Sequence, residues 1–450
     1  MRKINRFSLV GFAAMGLLLL ASSCSEDQIE QMEMTGVTQQ DDNRTLSGEE
    51  RAIKAFEMFM DDLNNKPTTR SSSSYKVLKV DKKTTASYTG DIPTTRSLEL
   101  SLPVYELTLE SGSNTTGFAV VAECLNTSYV MAYAPMGAIV DTVFNKGLAS
   151  FFRDFAAYTE AMVEKEKVKT RANFEFFQDY DIFNFVVSSK SEFVRNATAS
   201  EEAENCPGFP YYQQTKNEMV GQFVDAMWDQ SAPYNNNVPY FVIDTNRRVR
   251  VGCFPVALGQ LLSYYKTYPG YNWNLLTASS KIPDNTQAAA EVSRLLSNIE
   301  ADAHTNYYTI SDQGGTSPEN IYATIRGYNF TKCTQSTFYE TSCRDTIYNN
   351  VKDNHPVLVQ GRGSGAHIWI VDKMWTHEGW KYWAAKVNSN YPPYEHGEIY
   401  RDLCRISHAH CNWGWGNLSD GWYYTFTPIF TDGKRYTFTR ERVVYSQLYN

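Results

Sequence analysis

The chain has 450 residues, of which 42% are hydrophobic, 20% charged and 14% aromatic, with a formal net charge of −8. That length exceeds one ordinary core and calls for two folded units. The acidic balance and the lack of a basic patch argue against a nucleic-acid partner. The 30 Tyr and 9 Trp suit broad contact surfaces as well as large cores.

The first residues read as an address. Arg2, Lys3 and Arg6 precede an apolar run, Phe7 to Leu20, which is short for a membrane span and fits a signal peptide. Leu20-Ala21-Ser22-Ser23-Cys24 resembles a bacterial lipobox. The resemblance implies cleavage before Cys24 and a lipid on its sulfur. Ser25-Glu26-Asp27-Gln28 resembles the acidic tetrad that sends some Gram-negative lipoproteins to the outer surface. The plainer alternative is a secretory signal with an incidental cysteine. An acyl anchor holds a protein on a membrane without crossing it, so the expected location is the bacterial outer membrane, at the cell surface or its periplasmic face. Residues 1–23 are then the signal peptide and 24–44 a polar tether.

Residues 45–168 read as a small α+β unit. Ser47 and Glu50 form a capping box, followed by the amphipathic face of Ala52, Ile53, Ala55, Phe56, Phe59 and Met60. Strand patterns follow at 75–80, 98–102, 104–109, 117–122 and 130–134. A second helix is expected from about Asn145 to Lys167. Residues 169–210 mix aromatic and polar pieces and read as a connector, the kind of segment proteases nick.

Residues 211–450 read as a second α+β unit, helices first and an antiparallel sheet after. Helices are expected over Glu218–Trp228, Val256–Tyr265, Ala288–Ala301 and Pro318–Tyr328. Strands are expected at Pro356–Gly361, at Ala366–Asp372, on both sides of His410-Cys411-Asn412-Trp413 and at Gly421–Phe426.

The chemistry centres on Cys253. Pro255 suits a first helical turn, so the sulfur sits at a helix N-terminus, where the dipole favours a thiolate. A lone cysteine there is more often a small buried hydrophobe. Partners alter that balance. His367 opens a strand after a Gly-rich turn and can share the thiol proton. Asn412 can accept from the imidazole and hold its tautomer. Gln230 offers an amide donor, and the Cys253 backbone N–H a second, for an oxyanion. Taken singly, His367 reads as a core histidine, Gln230 as a surface residue and Trp413, Trp415 and Trp422 as core; His410 reads as structural. The eight cysteines include Cys333/Cys343 and Cys404/Cys411, close enough to pair, with the connectivity open. No Cys-x-x-Cys pair and no zinc-type histidine spacing occurs, so neither a metal nor another cofactor is expected.

These residues carry a resemblance to the streptopain family of papain-like cysteine peptidases. Gly252-Cys253-Phe254-Pro255-Val256-Ala257 with Gln260 and Tyr268-Pro269 resembles its nucleophile segment, and Pro356 to Asp372 its histidine strand. His410-x-Asn412-Trp413-Gly414-Trp415-Gly416-x-x-Ser419-Asp420-Gly421 is similar to its most recognisable signature. Trp228-x-Gln230-x-x-Pro233-Tyr234-Asn235 matches the oxyanion-glutamine segment. Thr45–Leu63, Thr116–Tyr133 and Gly147–Tyr158 resemble its inhibitory pro-region. The resemblance implies an endopeptidase made as a zymogen: Cys253 the nucleophile, His367 the base and proton donor, Asn412 its support, Trp413 the cover over that contact, and Gln230 the oxyanion donor. It also implies an apolar preference at P2 and a pro-unit that acts as an intramolecular inhibitor until the connector is cut.

Ala366 stands where the family usually has Gly, Trp369 and Lys373 replace smaller residues, and the stretch Met374 to Ser407 is an insertion rich in Trp and Tyr. These departures bear on specificity rather than chemistry. Two other functions fit the same fold: a surface binding protein that has lost catalysis, and an acyl transferase using the same thiol.

Overall fold

The computed structural model describes residues 2–3, 46–64, 75–89, 102–111, 115–124, 127–143, 211–241, 244–308, 313–337, 342–362, 366–386, 397–425, 429–431, 434–436 and 443–449, with parts of 145–159. Two compact units divide the chain. The smaller comprises Met1–Leu46, Lys169–Gln214 and Gly379–Cys404; in it Arg2 and Lys3 pair antiparallel with Arg401 and Tyr400. Cys24, the tether, the connector and the expected strand at 98–101 lie outside the described residues.

The larger unit comprises Ser47–Val168, Thr215–Glu378 and Arg405–Asn450. Its first element is the helix Gly48–Asn64, which starts where the capping box sets it. Ser47 N–H donates to Glu50 Oε2 at 2.7 Å, and Glu50 N–H to Ser47 Oγ at 3.2 Å. Its buried face, Ala52, Phe56, Phe59, Met60 and Leu63, lies on strands Pro103–Ser111, Thr116–Cys124 and Thr127–Ala134 with Tyr105, Leu107, Val121 and Tyr133. Arg51 pins the helix to this sheet through Glu123, which also accepts from Tyr105. Phe56 is fully buried and edge-on to Tyr75. Phe56→Ala is expected to lower the stability of the unprocessed chain by about 3–5 kcal/mol, read as a drop in the denaturation midpoint of an inactive Cys253→Ala background.

One antiparallel sheet runs through the unit. Its order is Tyr75–Thr84, Pro103–Ser111, Thr116–Cys124, Thr127–Ala134, Gly421–Tyr424, Gly397–Asn412, Ala366–Lys386, Val357–Arg362, Val443–Ser446 and Thr334–Thr337. The joint between the early and late strands pairs Tyr133 with Trp422 and Ala132 with Tyr423. Strands from 45–168 and from 211–450 thus share a single hydrogen-bonded surface. The described residues of the insertion extend two strands: the histidine strand continues to Lys386, and the asparagine strand begins at Gly397.

The helices Cys253–Tyr265, Gln287–Asp302 and Pro318–Gly327 pack on one face of the late strands. Alternation along the histidine strand divides its neighbours. Ile368 and Ile370 join the core under the cysteine helix, while Trp369 and Val371 join the core that holds Phe151, Phe152 and Phe155.

One expectation needs correction. Glu218–Trp228 is not a helix. The strand Tyr211–Gly221 pairs with the histidine strand, and the chain then runs on without regular structure. Gly221 has φ +94°, against Asp372 and Val351. The N–H groups of Val224 and Trp228 donate to the side chains of Asp372 and Gln260, partners that a helix would forgo. The sequence leaves the cysteine connectivity open, and neither pair close in sequence is formed. Cys333 is a free thiol, and the Cys411 sulfur is a thiol that donates to the Ala409 carbonyl.

Candidate active site

Cys253 is the first residue of its helix, after Gly252 at φ +92°. The approach is fastened to the Gln230 segment. Val251 N–H donates to Gln230 O at 3.0 Å, and Asn235 Nδ2 to Val249 O at 2.9 Å. Gly259 admits Trp228 against the helix, where a Cβ would lie 3.0 Å from the Trp228 ring.

The Cys253 sulfur receives the backbone N–H groups of Ile368, Cys253 and Phe254, yet burial outweighs them and pushes the thiol up. Helix position alone leads to the opposite expectation. A helix start and three donors favour the thiolate, but without a nearby imidazolium they do not offset desolvation.

His367 is buried, at 4% exposure, between the Trp369 and Trp415 rings, each stacked at 6.2–6.3 Å. Its Nε2 lies 2.9 Å from Trp413 O. A carbonyl only accepts, so Nε2 carries the proton. Burial lowers the imidazole to about 4, with the carbonyl bond opposing. The ring is therefore neutral at pH 7. Among the described residues, no hydrogen bond joins His367 to Asn412 or to Cys253. Ile368, its chain neighbour, reaches the sulfur instead.

Gly147 lies against His367. It starts a helical stretch, residues 147–149, capped by Asn145, whose Oδ1 accepts from Leu148 N–H at 3.0 Å. A Cβ on Gly147 would stand 2.8 Å from His367 Cδ2 and 2.5 Å from Trp413 Cζ3. The backbone of the 45–168 segment thus lies directly on the imidazole, and Leu148, Phe151, Phe152 and Phe155 continue the contact toward Trp369, Trp413 and Tyr423. This is a closed site, with thiol and imidazole both neutral.

Gln230 is buried, and its Nε2 has no hydrogen-bond partner among the described residues, a state that needs explanation in a native structure. Asn412 Oδ1 accepts from Gln260 Nε2 and from Gly414 N–H, both at 3.1 Å, and its Nδ2 donates to Ala226 O at 2.9 Å. Trp413 is buried against Trp369 and Tyr423, and its N–H donates to Asp420 Oδ1 at 2.8 Å. Burial raises Asp420 to about 7, against the Trp413 N–H. His410 bonds Asp372 at 2.7 Å, in keeping with a structural role. Sequence reasoning assigns no catalytic role to Gln260, Asp420 or Gly147.

A second histidine lies where the 45–168 segment meets the late strands. His408 Nε2 donates to Val130 O at 2.9 Å, and Phe59 lies edge-on at 5.1 Å. Burial lowers His408 to about 4, and His377, itself 3.8 Å from Asp62, pushes the same way. Removing the 45–168 segment would return His367 and His408 toward 6.5. The freed state then binds protons between pH 6.5 and 4 that the closed state refuses, so stability of the closed state falls as pH falls through that window. Release is expected to rise by up to about tenfold per histidine from pH 7.5 to 5.5, at most ~1.36 kcal/mol for each. Size-exclusion chromatography of connector-cut Cys253→Ala protein across that range reads it.

Residues 267–423 match the Peptidase C10 family. The matched stretch contains His367, Asn412 and Trp413 and begins after Cys253. No curated protein matches the chain. Among solved structures, active wild-type interpain A cysteine protease from Prevotella intermedia is 18% identical, with a TM-score of 0.37, over 52% of this chain and 96% of that one. A fragment of prointerpain A from the same organism, with a cysteine changed to alanine, is 15% identical, with a TM-score of 0.45, over 84% of this chain and 99% of that one.

Proposed function

We propose that this chain, a cysteine peptidase of the Peptidase C10 family by its match over residues 267–423, is an endopeptidase made as a zymogen and held closed by its own residues 45–168. The observation that carries the reading is the convergence on Cys253. The histidine strand reaches the sulfur through Ile368 N–H, Gln230, whose Nε2 has no partner among the described residues, belongs to a segment bonded to the cysteine approach, and the Asn412 turn is tied to the cysteine helix.

In the open enzyme, Cys253 transfers its proton to His367 and attacks the scissile carbonyl as a thiolate. The tetrahedral oxyanion takes hydrogen bonds from Cys253 N–H and Gln230 Nε2. His367 then gives its proton to the leaving amine, and water, deprotonated by His367, hydrolyses the thioester. Asn412 orients the imidazole, with Trp413 shielding that contact. In the closed form Gly147 sits on His367, so removal of the 45–168 segment is the activating event. Cleavage falls in the 169–210 connector, and the preferred substrate carries an apolar P2 side chain. A lipid on Cys24 places the enzyme on the bacterial outer membrane, facing proteins at the cell surface or in the periplasm.

The test is mass spectrometry of wild type and Cys253→Ala after incubation, with casein cleavage as readout. Processing within 169–210 and casein fragments only in the wild type are expected. Equal processing in both variants, or crosslinked products in place of fragments, would overturn the reading.

A further inference from the structure

Gln260 touches three of the segments that meet at Cys253. It is wholly buried on the cysteine helix, about two turns after the sulfur. Its Oε1 accepts from Trp228 N–H at 2.8 Å, in the segment that carries Gln230. Its Nε2 donates to Asn412 Oδ1 at 3.1 Å, and Asn412 Nδ2 returns a longer contact of 3.4 Å to Gln260 Oε1. The two carboxamides face each other head to tail.

This arrangement fixes the polarity of Asn412. Its oxygen faces two N–H donors, from Gln260 and Gly414, and its nitrogen faces the Ala226 carbonyl. Turned end for end, the amide would set donors against donors and acceptor against acceptor, each a buried polar group left unpaired. Only the observed orientation lets Asn412 Oδ1 hold Gly414 N–H, and with it the turn whose Trp413 carbonyl accepts from His367 Nε2. The neighbours of Gln260 on the helix, Val256, Ala257, Leu258, Leu261 and Leu262, are buried and apolar, so packing alone favours an apolar side chain here.

We infer that Gln260 is a positioning residue: it sets the Gln230 segment against the cysteine helix and holds the Asn412 amide in the turn whose Trp413 carbonyl bonds His367. The inference rests on the peptidase reading. Gln260 touches no reacting atom, and its effect passes through Trp228 and Asn412.

Two variants of the processed enzyme test it. Gln260→Glu keeps shape and volume, but an ionised carboxylate offers only acceptors and drives Asn412 to turn over. A protonated carboxyl donates again and restores the observed pairing. At pH 8 the expected kcat of Gln260→Glu is about 100-fold below wild type, the scale of a small misplacement in a catalytic site, with KM within about twofold. The ratio of variant to wild-type kcat is expected to recover at least ~10-fold by pH 5, as the buried carboxyl protonates. Gln260→Met is expected to lose a similar factor at every pH. A ratio that stays flat with pH, or a Gln260→Met enzyme with wild-type kcat, overturns the inference. Should Gln260→Met fail to fold, Gln260→Glu decides alone. Wild type assayed in parallel separates the two levels: if it shows no Cys253-dependent hydrolysis, the peptidase reading falls and the inference with it, whereas a flat ratio beside an active wild type removes the inference alone.

Discussion

Replacing Cys253 or His367 by alanine is expected to lower kcat/KM of the processed enzyme by about 10⁴–10⁶-fold, with the double variant no worse than the more damaged single one. Nucleophile and base act as a unit, so losses do not add. What remains is binding plus oxyanion stabilisation by Gln230 Nε2 and the Cys253 N–H. The readout is hydrolysis of a peptide with an apolar P2 residue. A double variant whose loss equals the product of the singles would mean that the two residues act independently, and that His367 has some other role than sharing the thiol proton. Neither change disturbs the fold much. Cys253 is partly exposed as a residue, although its sulfur is buried, and the His367 ring is bonded only through Nε2, to Trp413 O, among the described residues.

Gly147→Val is expected to open the unprocessed chain. A Cβ at Gly147 meets His367 and Trp413 at 2.8 and 2.5 Å, and neither ring has room to retreat. Trp413 is backed by Trp369 at 4.8 Å and Tyr423 at 5.2 Å, while His367 lies between stacked indoles. Overpacking of this kind destabilises by about 1–3 kcal/mol, which moves the docking equilibrium of the 45–168 segment roughly 5- to 150-fold toward the open state. The Gly147→Val precursor is therefore expected to process its connector faster than wild type, in a time course followed by gel and mass spectrometry. An unchanged or slower time course would show that the contact does not govern latency. The effect comes from the contact itself, so Gly147→Ala moves the same way by a smaller amount.

What the sequence conveys and what it hides follow from the range of the interactions. The Ser47–Glu50 capping box is legible because both partners lie three residues apart and answer to each other. The cysteine helix is legible because Pro255 and the run from Val256 to Leu262 specify it locally. The stretch after Gly221 is misread as a helix because its N–H groups are claimed by Asp372 and Gln260, residues distant in sequence. The closed position of His367 could not be read either. It depends on Gly147, a residue distinguished in sequence only by its smallness and decisive in space because a backbone lies flat on an imidazole. Gln260 did leave a trace: an amide among buried apolar neighbours needs partners, and asking where they lie leads to Trp228 and Asn412. The raised thiol is the same lesson in electrostatics, since a helix terminus is visible in sequence while the desolvation that outweighs it is not.

In the proposed mechanism, latency and catalysis turn on one event, the meeting of the Cys253 sulfur with the His367 imidazole once Gly147 leaves. Adduct mapping with a thiol-directed epoxide, before and after connector cleavage, follows that event most directly. Rapid modification of Cys253 is expected in the cut protein, with little in the intact precursor and little in cut His367→Ala. Equal labelling of cut wild type and cut His367→Ala, or none in either, would contradict such a meeting.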